Sequence, residues 1–80
     1  MIVLINPNST EAMTQAMVET ASKAGVALEG WTSLEGPAAI QGSEDGAACI
    51  PPLLALVRKA SDAGAKTIII GCFDDTGLDA

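Results

Sequence analysis

The order strand, helix, strand, helix, strand predicts an α/β fold with a parallel sheet in three layers, β-α-β-α-β. Three observations carry this reading. The runs "MIVLI" and "TIII" are apolar without alternation, which suits strands covered on both faces. The segments that follow the first strand and precede the third carry apolar residues at helical spacing. Glycines at 25, 36, 42 and 64 punctuate the chain into short connections, as a βαβ succession requires.

The first strand is expected over Met1–Ile5. In "NPNST" (Asn6–Thr10), Pro7 biases Asn6 away from helical backbone. Asn8, Ser9 and Thr10 are good N-caps, and Glu11 suits a first turn. Met13, Ala16, Met17, Thr20, Ala21 and Ala24 then fall on one face, giving an amphipathic helix that Gly25 caps. A second strand is expected over Val26–Trp31, nearer an edge. A loop over Thr32–Gly42 follows, with Gly36, Pro37 and Gly42 as breakers. Ser43, Glu44 and Asp45 open a second helix with Leu53, Leu56, Val57 and Ala60 as its apolar stripe. Pro51 and Pro52 should kink or break it, and Gly64 should end it. The third strand is expected over Lys66–Gly71. Right-handed crossovers then favour the flavodoxin-like strand order 2-1-3.

That order leaves "TIII" as an open apolar edge without the charge, proline or cover that blunts natural edges. "DDTGLDA" offers an N-cap at Asp75 or Thr76 with almost no chain after it. A further strand and helix are therefore expected beyond these residues. The chain reads as the amino-terminal part of a larger protein.

Composition narrows the function. The 80 residues are 49% apolar and 18% charged, with only Trp31 and Phe73 aromatic, so the core must be aliphatic. Net charge is −6, and the four cations, Lys23, Arg58, Lys59 and Lys66, are scattered. This argues against nucleic acid and against an anionic membrane surface as partners. Histidine and tyrosine are absent, so acid–base chemistry within these residues falls to Cys, Asp, Glu or Lys. "MIVLINPN" has no charged leader region and no run reaches membrane-spanning length. Cys49 and Cys72 are read as two thiols of a reducing compartment, and a cytoplasmic location is expected.

In an open parallel sheet, ligands bind beyond the carboxyl ends of the strands, where the strand order reverses. Here the reversal lies between the first and third strands. "NPNST" and "GCFDDTG" emerge there, one of them carrying Cys72. A thiol just before a helix N-terminus can have its pKa lowered from about 8.5 to roughly 3.5–7.5. Cys72 is thus either an activated thiolate or a small buried apolar residue, and Asp74 and Asp75 either join it or cap a helix. Asn6, Asn8, Ser9 and Thr10 suit a carboxylate, imide or phosphate, or serve only as caps. They lack the glycines of a nucleotide fingerprint. "EGPAAIQG" (Glu35–Gly42) either lines the same crevice or merely connects. Cys49, inside the second helix, is read as core. Zinc-ligand spacing is missing, so no metal is expected.

"INPNST" (Ile5–Thr10), "GPAAIQG" (Gly36–Gly42) and "GCFDDTGL" (Gly71–Leu78) together resemble the Asp/Glu/hydantoin racemase family, most closely its hydantoin and allantoin racemase branch. The resemblance covers the whole chain, with the motifs in family order. It implies a cofactor-independent isomerase with two similar α/β domains facing each other across a small-molecule substrate. Each domain supplies one cysteine, one thiolate removing the proton from the chiral carbon and the opposite thiol returning one. By motif, Cys72 matches the first catalytic cysteine. Asn6, Asn8, Ser9 and Thr10 match the substrate-holding loop, and Pro37, Ile40 and Phe73 would line the pocket. The chain would then be the incomplete first half of a two-domain fold, inactive alone, with an oligomer open to the full-length protein. Relatives of the maleate isomerase and arylmalonate decarboxylase type, which also place a cysteine here, are the alternative enzyme reading. A non-catalytic truncated remnant is the alternative outside enzymes.

Overall fold

The structure is a computed structural model, and it describes residues 1–72 and 77–80. Five elements follow in the order β1 (Ile2–Asn6), α1 (Glu11–Lys23), β2 (Glu29–Thr32), α2 (Ser43–Asp62) and β3 (Thr67–Ile70). The strands form one sheet in the order β2-β1-β3. Both pairings are parallel, with Val3 opposite Glu29 on one side and Ile68 on the other. The expected α/β class and 2-1-3 order are thus present. No helix among the described residues is long and apolar enough to cross a membrane.

The two faces of β1 serve different partners because side chains alternate along a strand. Val3 and Ile5 are fully buried and pack with Leu53 and Ala60 of α2. Ile68 and Ile70, their register partners on β3, join the same cluster together with Trp31, Leu56, Val57 and Ala65. The apolar stripe of α2 is therefore the core, as its spacing predicts. Leu4 faces the other way, toward α1.

Both helices end in Schellman motifs. Val26 N–H donates to Ala21 O (2.9 Å) and Ala65 N–H to Ala60 O (3.0 Å). The motif needs a left-handed residue, and Gly25 (φ 85°) and Gly64 (φ 95°) supply it without a Cβ penalty. This moves β2. The sequence places it from Val26, but Val26 is tied back to α1, and pairing begins at Glu29.

Two further expectations are corrected. α2 runs unbroken through Pro51 and Pro52. The carbonyls that lose their donors belong to Ala47 and Ala48, both exposed, so water can satisfy them. The expected apolar stripe of α1 is also not buried as a whole. Thr14 is the buried residue of α1, while Met13, Ala16, Thr20 and Ala24 are exposed. The reason is polar. Thr14 Oγ1 accepts from Asn6 Nδ2 (3.1 Å) and shares a 2.7 Å hydrogen bond with Thr32 Oγ1, which seats that side of α1 on β1 and β2. Met17 and Ala21 of the stripe are half-buried.

Candidate functional site

Three segments meet at the carboxyl end of the sheet: the turn after β1, the loop between β2 and α2, and the end of β3. The turn is built around Asn6, which is fully buried. Its Nδ2 donates to Asn8 Oδ1 (2.9 Å) and Thr10 O (3.1 Å) as well as to Thr14, and its Oδ1 accepts from Asn8 N–H (3.1 Å). Asn8 Oδ1 in turn accepts from Thr10 N–H (3.0 Å). One buried amide thereby fixes the backbone from Asn6 to α1. Buried polar groups persist only when satisfied in this way.

The loop between β2 and α2 is zipped onto that turn. Ser9 N–H donates to Pro37 O (2.8 Å), and Thr10 Oγ1 donates to Ala38 O (2.8 Å). Thr10 is the N-cap residue of α1, but its hydroxyl makes this contact instead of a capping bond. Ser33 N–H donates to Asn6 O (3.0 Å) and Gly71 N–H to Ile5 O (2.9 Å), so both flanking strands are held to β1 at the same level.

Between these segments lies a cleft of about 430 Å³. Asn8, Ile40 and Cys72, all singled out from the sequence, line it together. Cys72 is half-buried there, directly after β3. Asn6, Ser9, Thr10 and Pro37 are not among the residues that line it. The Asn6 amide is occupied within the turn and against α1, while the Ser9 N–H, the Thr10 hydroxyl and the Pro37 carbonyl hold the two loops together. Phe73 lies outside the described residues, as do Asp74, Asp75 and Thr76.

Sequence reasoning missed a whole wall of the cleft. Met13, Ala16 and Met17 of α1 line it, with Pro7, Ala39, Gln41 and Gly71. The signal was present, since these three residues sit at i, i+3 and i+4. It yields an amphipathic helix and no more, because spacing alone does not reveal which part of an apolar stripe a sheet covers.

The second cysteine has a different environment. Cys49 is fully buried in α2, and its thiol donates to Gly46 O (3.1 Å). Burial pushes this thiol above its ordinary pKa, the charge of Cys72 adds to the rise, and a backbone hydrogen bond opposes it. A buried, protonated thiol is a packing group. Among the described residues, no group of three or more His, Cys, Asp or Glu side chains is placed to hold a metal ion.

Comparison with known proteins gives a consistent result. The family model for Asp/Glu/hydantoin racemase matches residues 2–80. The chain is 39% identical over 82 residues to a hydantoin racemase of Rhizobium meliloti, covering 99% of this chain and 34% of that protein. It is 35% identical over 83 residues to a hydantoin racemase of Paenarthrobacter aurescens, covering 99% of this chain and 35% of the relative. It is 30% identical over 82 residues to one of Pseudomonas sp. (strain NS671), covering 99% of this chain and 33% of the relative. The chain thus spans about a third of the length of the curated relatives it matches. No solved structure matches it significantly.

Proposed function

The chain belongs to the Asp/Glu/hydantoin racemase family, and from that premise we propose that the full-length protein is a cofactor-independent racemase of amino acids or their derivatives, such as 5-substituted hydantoins or allantoin. The observation that supports this reading best is the position of Cys72, at the carboxyl end of β3 in a cleft shared with the turn after β1. A racemase serves both enantiomers, so it needs a proton-transfer group on each face of the chiral carbon. Cys72 supplies one face. Its thiolate takes the proton as a general base, and its thiol returns one when the opposite enantiomer reacts. The carbonyl beside the carbon acid takes up the charge as an enolate, which hydrogen-bond donors of the cleft stabilise. Asn8 and Ile40 of the cleft hold the substrate, and Phe73 is assigned the same task by its motif alone. Asn6, Ser9, Thr10 and Pro37 shape the walls.

Cys49 is a poor candidate for the opposite face, being buried in a helix and held protonated. The second thiol therefore comes from a further domain. These residues are the amino-terminal part of the first domain, do not racemise alone, and work in the cytoplasm, where thiols stay reduced.

The test is optical rotation of a single hydantoin enantiomer in heavy water, with deuterium at the chiral carbon read by mass spectrometry. The full-length protein should erase the rotation and incorporate deuterium. Cys72→Ala should slow both about 10²- to 10⁴-fold, the usual contribution of a positioned acid–base group. The 80-residue chain should leave the rotation unchanged. Undiminished exchange in Cys72→Ala would remove the thiol from the mechanism.

A further inference from the structure

The sequence places Met13 and Met17 on the apolar face of an amphipathic helix, and both line the cleft that holds Cys72. Met13 is 49% exposed, more than packing against the sheet would allow. Its Sδ lies 3.7 Å from Asn8 Nδ2, so the side chain is directed toward the cleft wall beneath the β1 turn. Met17 reaches the opposite end. A Cβ at position 71 would stand 2.7 Å from Met17 Sδ and 2.9 Å from its Cε. Glycine at 71 is what lets the Met17 thioether lie against the end of β3, one residue before Cys72. Ala16 between them keeps the wall shallow, and Ile40 and Ala39 face it from the other loop. Among the described residues no Asp, Glu, Lys or Arg lines the cleft, and its polar side chains are Asn8, Gln41 and the Cys72 thiol.

We infer that Met13 and Met17 are specificity-determining residues, forming an adjustable apolar subsite for the substituent on the carbon that Cys72 serves. This rests on the racemase reading. Methionine is unbranched and polarisable, so such a wall moulds to side chains of different shape. A carboxylate substituent entering it would lose water and find no cation, which disfavours free aspartate and glutamate. An aliphatic or aromatic substituent loses nothing by the same burial.

The experiment compares kcat/KM of the full-length protein for 5-benzylhydantoin and 5-methylhydantoin. Met13→Ala widens the subsite and should move the ratio toward the benzyl compound by about tenfold, within the range a few methylene groups impose on a hydrophobic pocket. Met13→Trp should move it the other way. A ratio unchanged within twofold in both variants, with both substrates racemised, would overturn the inference and leave the racemase reading intact. A second readout does not depend on turnover. With ¹³C-labelled methionine methyl groups, 5-benzylhydantoin should shift the Met13 and Met17 signals saturably and L-glutamate should not. Shifts of this kind in a protein that racemises no hydantoin would sustain the subsite while the racemase reading fell. Silent methionine signals would overturn the subsite.

Discussion

Asn6 stands at the end of β1 with every atom of its amide used inside the protein. Three acceptors, Asn8 Oδ1, Thr10 O and Thr14 Oγ1, lie 2.9–3.1 Å from one nitrogen. Its role is to position the turn, which brings Asn8 to the wall of the cleft. Replacing Asn6 by Ala would leave the Asn8 N–H without its partner and an amide-sized void, and would take one bond each from Asn8 Oδ1, Thr10 O and Thr14 Oγ1, which keep their bonds to Thr10 N–H, to the first turn of α1 and to Thr32. Each orphaned buried group costs about 1–3 kcal/mol, with water entering to recover part of it. Asn6→Ala is expected to lose about 2–4 kcal/mol in urea denaturation followed by circular dichroism. A loss below about 0.5 kcal/mol, the scale of ordinary surface changes, would show that the network is not structural. The asparagine was legible in the sequence as a site residue because of its type and place. That it faces inward was not, because the direction depends on Thr14 and Thr32, which are distant in sequence.

At the scale of elements, α2 shows local preference giving way to packing. Two adjacent prolines each remove a helical hydrogen bond, and an interior proline costs about 3 kcal/mol. The helix persists because Cys49 and Leu53, on either side of the prolines, are both fully buried and Leu53 anchors the core. Pro51 is exposed, so its substitution disturbs no core contact. Pro51→Ala would restore the bond from residue 51 to Ala47 O. The gain is offset by the looser unfolded chain, worth about 0.4–1 kcal/mol, and by water already on that carbonyl. A net stabilisation of about 1–2 kcal/mol is expected from thermal unfolding. An equal or lower melting temperature would mean that the backbone has adapted to the proline. β2 illustrates the same competition at its start, where the Schellman motif keeps Val26 with α1 and pairing waits for Glu29.

On the scale of the whole molecule, the sheet is covered unevenly. α2 closes one face over Val3 and Ile5. On the other, Leu4, Met17, Ala21 and Leu28 border an open apolar groove, and Ile69 is 40% exposed. β3 pairs with β1, and no strand joins its outer edge among the described residues. Such an edge recruits other chains. The 80-residue chain is expected to self-associate with rising concentration in size-exclusion chromatography. Salt should strengthen the association, since the net charge of −6 opposes it and salt screens charge. Ile69→Lys should shift the equilibrium to monomer. A monomer of the unaltered chain at all concentrations would show that this edge is not adhesive.

The sequence by itself determined the class, the strand order and the place of Cys72, because these follow from local signals: unbroken apolar runs, glycine punctuation, and the handedness of βαβ connections. It also carried the family resemblance that the comparisons now support. Tertiary structure alone decided which face each element shows. Thr14 seats α1 with its hydroxyl inward while Met13 and Met17 line the cleft, and the Asn6 amide faces inward to satisfy the turn. The physical reason is that a buried hydrogen bond must be completed by residues far apart in the chain. Helical spacing names the members of a face but not the partner that rotates it into place.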